Sequence, residues 1–176
     1  MPEKKTLERA RRDRRQGKSA STQAGEFVRE ELHHVREGRH GARSTKQAIA
    51  IGLSKARRAG VKLKPPARGS TSARTRANAT RAYRAGQTNG RHHVNPRRSK
   101  AVRRALQHEG HSAASHAALA RQAHRQAVQR GPVRRRASAK RGARTRLAHQ
   151  SHAERSRIAR KAARTRSRAR SHGSRR

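Results

Sequence analysis

The chain has 176 residues, with 49 lysines and arginines against nine aspartates and glutamates, for a formal net charge of +40. Only 30% of residues are apolar even with alanine counted, and Phe27 and Tyr83 are the sole aromatics. Burial returns about 25 cal/mol per Å² of apolar surface, against about 1–2 kcal/mol of backbone entropy per ordered residue. This composition therefore argues against a conventional core and predicts a mostly disordered chain with some α content, while the absence of cysteine excludes disulfides and thiolate chemistry.

In chain order, Thr6 to Gln16 can form a short charged helix ending at Gly17. It has little apolar face and is expected to fray, so residues 1–20 are read as a charged N-terminal segment. From Ser21 to Glu37, the residues Ala24, Phe27, Val28, Leu32 and Val35 recur at helical spacing, and Gly38 sits where a C-terminal cap belongs. Glu26, Glu30 and Glu31 fall in the first half, where the helix dipole favours anions. A glycine-bounded loop leads to Ser44 and Gln47, a capping pattern that opens a second helix running to about Ala59. Gly60 supplies its left-handed cap, and Pro65 with Pro66 ends the segment. Residues 21–63 are thus predicted to be a two-helix hairpin packed through Phe27, Val28, Leu32, Val35, Ile49 and Leu53.

Residues 64–176 read as a low-complexity tail rich in arginine, alanine and serine. The tail is expected to be disordered, with weak helices near 99–109 and 115–130 that gain helicity once phosphates neutralise the arginines. Seven of the nine acids lie before Gly38, so the remainder is nearly pure cation.

The segment from Phe27 to Leu63 resembles a bacterial family of short, very basic proteins classed as a domain of unknown function. The resemblance rests on Lys46-Gln47-Ala48-Ile49-Ala50-Ile51-Gly52-Leu53-Ser54-Lys55-Ala56-Arg57-Arg58-Ala59-Gly60, preceded by Glu30-Glu31-Leu32-His33-His34. It implies no catalytic residues. The tail is similar to histone-like basic tails in composition alone.

Charge of this size implies a polyanionic partner. Duplex DNA carries about one negative charge per 1.7 Å of axis, so forty charges match roughly twenty base pairs. Candidate phosphate contacts are Lys55, Arg57, Arg58, Lys62 and Lys64 around the second helix end. In the tail they are Arg97, Arg98, Arg103, Arg104, Arg134, Arg135, Arg136, Arg144, Arg146, Arg164 and Arg166. No aromatic platform accompanies them, which favours duplex or structured nucleic acid over stacked single strands. The expected function is sequence-independent nucleic-acid binding, histone-like and nucleoid-associated, with DNA as partner in a bacterial cytoplasm. Structured RNA, as in a ribosome, is the alternative partner. A third reading is an adaptor whose hairpin recognises a protein or a second copy of itself. No long apolar run points to a membrane, and no enzymatic fingerprint, small-molecule substrate or cofactor is expected.

The twelve histidines raise a metal site. The closest groupings are His33-His34 with His40, His92-His93, and His108 with His111 and His116. Without cysteine or a rigid scaffold they are read as solvated polar residues, and no metal is expected.

Overall fold

Serine does more in this chain than its low-complexity setting suggests. Ser19, Ser44, Ser72, Ser115 and Ser151 each accept, through Oγ, the backbone N–H of the residue three positions on, and Asn95 Oδ1 does the same for Arg98. Each satisfies a donor that a helix start otherwise leaves orphaned. Ser151 and Glu154 make a reciprocal box, Glu154 Oε2 accepting the Ser151 N–H at 3.0 Å.

The structure, a computed structural model, describes residues 2–88 and 95–173. Among these are seven α-helices and no strand: α1 Lys4–Arg15, α2 Ala20–Arg36, α3 Thr45–Arg58, α4 Ala73–Gln87, α5 Pro96–Gln107, α6 His116–His149 and α7 His152–Gly173. A single 3-10 turn, Ser112–Ala114, precedes α6. The chain divides into two compact units, Met1–Ala123 and His124–Arg176. The expectation of a mostly disordered chain with a disordered tail is overturned. Helix α5 begins at Pro96, whose missing N–H is no loss at a first helical position. Helix α6 runs on to His149, broken by Gly131 at φ 71° and ψ 167° before Pro132. His92 and His93 lie outside the described residues.

The first unit closes with few large side chains because its helices approach through small ones. Phe27, fully buried on α2, packs with Ala10, Ala24, Ala56 and Val61, with Leu7, Ala20, Leu53 and Leu63 around them. Helix α1 therefore does not fray: Thr6, Ala10 and Asp13 are buried on it, and Arg9 pairs with Glu26 on α2 at 3.0 Å. A second cluster joins Val35, Ala42, Ala48, Ala113 and Ala114, with Leu32 against it. The 3-10 turn is pinned there by Thr45 Oγ1 donating to the Ala113 carbonyl at 2.6 Å and Arg36 Nε to the Ala114 carbonyl at 2.7 Å. The apolar face of the hairpin is packed within the chain against α1 and against residues 113–114. Val28 and Ile49 are half-buried and stand outside both clusters.

Helix α4 sits on α3 through Ala79, Ala82 and Gly86, three small residues on one face. A Cβ on Gly86 would overlap the Arg57 carbonyl oxygen and lie 2.9 Å from the Arg57 carbonyl carbon. Only glycine permits this approach.

The acids of α2 are not the exposed residues their polar sequence predicts. Glu30 is 4% and Glu31 0% exposed. Lys55 on α3 lies 2.6 Å from Glu31 Oε2 and 3.8 Å from Glu30 Oε1. Buried charges persist only when paired in this way. Lys55 is consequently an internal counter-charge, not the phosphate contact expected from its place in the sequence.

Candidate nucleic-acid interface

Within the first unit, α3, α4 and α5 border a cleft of about 850 Å³. Ser54 and Arg58 come from α3, Asn78, Arg81 and Arg84 from α4, Thr88 from its C-terminal cap, and Asn95, Arg98 and Ser99 from the start of α5. Ala82, Ala85 and Val102 complete the lining. Four arginines therefore share the lining of one concavity with serine, threonine and asparagine, and among the described residues no aspartate or glutamate lines it. Arg81 Nη2 donates to Asn78 Oδ1, which holds one of these forks in place. A guanidinium grips a phosphate through two parallel hydrogen bonds and stays charged at any physiological pH.

Of the residues expected to meet phosphate, the structure brings Arg58 and Arg98 into this cleft. Arg57 is a correction. It is 6% exposed, and its Nε and Nη2 donate to the Leu63 and Lys64 carbonyls at 3.2 and 3.5 Å. Burial lowers the pKa of its guanidinium. Arg57 closes the turn after α3 and has no free face for a ligand. Lys62, Lys64, Arg97, Arg103 and Arg104 are exposed outside the cleft lining.

In the second unit Arg134 lines a depression of about 460 Å³ with Arg130, before the Gly131 break, and Ala137, Ser138 and Arg141 after it. Arg135, Arg136, Arg144, Arg146, Arg164 and Arg166 are exposed on α6 and α7, with Arg166 Nε donating to the Ala162 carbonyl at 3.3 Å. Like charges three and four residues apart each destabilise an isolated helix by about 0.2–0.5 kcal/mol. Alanine and arginine offset this, both being strong helix formers.

Arg81 and Arg84 do not stand out in the sequence, and neither do Asn78, Thr88 and Asn95. The signal was available in Ser72, a cap, followed by Ala79, Ala82 and Gly86 at 3.6-residue spacing. That pattern defines a buried face and turns Asn78, Arg81 and Ala85 toward the flank beside it.

At its N-terminal end the chain carries a separate polar group. Glu3 Oε1 lies 2.9 Å from His34 Nε2 and accepts from Arg39 Nη1 at 2.9 Å. These bonds, the His34 one foremost, hold the Glu3 carboxyl below its ordinary pKa.

These features define a helical, strongly basic protein whose first unit presents an acid-free arginine cleft. Residues 3–68 match the model of a family of unknown function, DUF6496. The match takes in α1 to α3, and so Ser54 and Arg58, but ends before α4 and α5. No curated protein and no solved structure matches the chain. No helix among the described residues is long and apolar enough to cross a membrane.

Proposed function

We propose that the protein binds nucleic acid through its phosphates, without reading sequence, and acts by binding rather than by turnover. The observation that carries this reading is the cleft in which Arg58, Arg81, Arg84 and Arg98 converge with no acid in its lining. A folded chain that leaves four guanidinium groups together without counter-charge carries repulsion that a polyanion relieves. The exposed arginines of α6 and α7 supply further cations, each adding counterion release of its own. DNA is the proposed partner, and condensation of DNA in a bacterial nucleoid the proposed role. Neutralising phosphates on neighbouring segments lets them approach. Ordered helices change the binding picture from a coil that wraps its ligand to preformed cationic faces that dock on it.

The test is fluorescence anisotropy with a labelled duplex of about twenty base pairs at several salt concentrations, since affinity falls with a log–log slope near −0.9 per phosphate neutralised. The quadruple variant Arg58→Ala, Arg81→Ala, Arg84→Ala, Arg98→Ala should reduce that slope by about 3–4, because four phosphates then keep their counterions. A wild-type response flat in salt, or a slope unmoved by the quadruple variant, overturns the cleft as the interface. Competition with structured RNA decides between the two polynucleotides.

A further inference from the structure

Three side chains of the first unit converge where the sequence promised only solvated polar residues. Glu31 on α2 is fully buried, His34 one turn later is 8% exposed, and His40 follows in the loop after the helix. One carboxylate oxygen and one ring nitrogen from each histidine lie within 4.8 Å of one another. We propose that Glu31, His34 and His40 form a binding site for a divalent late first-row metal ion such as zinc, independent of the nucleic-acid cleft.

The geometry of His40 carries the argument. Its Nδ1 lies 3.0 Å from the Gly41 carbonyl, a bond in which only the ring can donate, so in the neutral ring the lone pair belongs to Nε2. That Nε2 lies 3.3 Å from Glu31 Oε1, a buried carboxylate oxygen. With the ring neutral, two acceptors face each other in a buried site, an arrangement that either a proton or a metal cation between them relieves. Their separation is close to the roughly 3.4 Å between neighbouring ligands of a tetrahedral zinc with bonds near 2.0–2.2 Å. A ring held by its other nitrogen on a backbone carbonyl is also the usual support of a metal-bound histidine.

His34 is held in the corresponding way. A proton on Nε2, 2.9 Å from Glu3 Oε1, leaves Nδ1 with the lone pair. Arg39 Nη1 donates to the same Glu3 oxygen at 2.9 Å and so holds in place the carboxylate that accepts from His34.

Neither oxygen of Glu31 accepts a well-directed hydrogen bond. Lys55 Nζ is 2.6 Å from Oε2 and supplies charge off the ideal line, while Oε1 faces only His40. Glu3, Glu30 and Glu31 stand here against Lys55 and Arg39, so the locality is net negative inside a chain of +40. Two imidazoles with one carboxylate suit zinc and its neighbours far better than magnesium or calcium, which take oxygen ligands. His40 is 18% exposed, which leaves the cluster reachable from solvent.

Cobalt(II) reports on such a site through its visible absorption, which is strong for tetrahedral coordination. Titration of the full chain is expected to show one equivalent bound with that spectrum. His40→Gln and His34→Gln should each weaken binding at least tenfold, whereas His33→Gln and His124→Gln leave it unchanged. Circular dichroism of each variant verifies the fold. His40, at the edge of the cluster, gives the decisive variant if His34→Gln fails to fold. Absence of the one-equivalent signal, or wild-type binding by His40→Gln, overturns the assignment and gives any bound metal to the other histidines.

Discussion

Gly86→Ala probes the way this chain builds a core with few large residues. A Cβ there would overlap the Arg57 carbonyl oxygen and approach the Arg57 and Arg58 carbonyl carbons to 2.9 and 3.0 Å. The carbonyl cannot swing aside, because it accepts the Gly60 N–H at 3.1 Å in the cap of α3. Helix α4 must therefore retreat from α3, and overpacking of this kind costs about 1–3 kcal/mol. Backbone overlap puts Gly86→Ala at the upper end, about 3 kcal/mol, from which alanine's helix propensity returns at most about 1 kcal/mol. The net loss is about 2 kcal/mol, or roughly 4–8 °C in Tm for a protein of this size. Gly25→Ala is the control. It sits inside α2 with no atom within 4 Å of a new Cβ, so it should gain up to about 1 kcal/mol. Thermal melts followed by ellipticity at 222 nm, with Tyr83 fluorescence as a local probe on α4, give both numbers. If Gly86→Ala melts as high as Gly25→Ala, helix approach through small residues is not what holds α3 and α4 together.

Adjacent arginines should separate cleanly by role. Arg57→Met leaves the Leu63 and Lys64 carbonyls without their donor and should lower stability by about 1–3 kcal/mol in urea unfolding. Arg58→Ala should leave the urea midpoint unchanged or slightly raised, one repelling charge having gone from the cleft, while weakening duplex binding and reducing the salt slope by about 1. Lys55→Met strips the counter-charge from Glu30 and Glu31 and should destabilise by about 3 kcal/mol or more, with Glu31→Gln in the same chain recovering part of the loss. Ser44→Ala removes the acceptor for the Gln47 N–H and should cost about 0.5–2 kcal/mol, read from the same unfolding curves.

The helices of the hairpin could be read from sequence because each announces itself by periodic apolar residues and a cap. Helix α2 covers Ala20–Arg36 where the sequence places Ser21 to Glu37, and α3 covers Thr45–Arg58 where it places Ser44 to about Ala59. Helices α4 and α7 were not readable by the same rule, since it weighs large aliphatics and these helices have almost none. Their information lies in Ser72, in Ser151 with Glu154, and in the spacing of Ala79, Ala82 and Gly86. The cleft was half visible. Arg58 and Arg98 could be picked out by charge, but only the packing of α4 on α3 makes Arg81 and Arg84 their neighbours. Burial of Glu31, His34 and Lys55 was opaque for a different reason. Polar residues on a helix carry no local mark of which face meets a partner, and the partners here are distant in sequence, Lys55 on α3 for Glu31 and Glu3 for His34.

A concavity lined by four guanidinium groups and no carboxylate has an unusual response to electrolyte. Small anions such as sulfate or chloride crowd into it and quiet the mutual repulsion, so added salt should make the free protein harder to unfold. The same ions must be expelled when a polynucleotide arrives. The conditions that best preserve the isolated molecule are therefore those under which it holds its partner least.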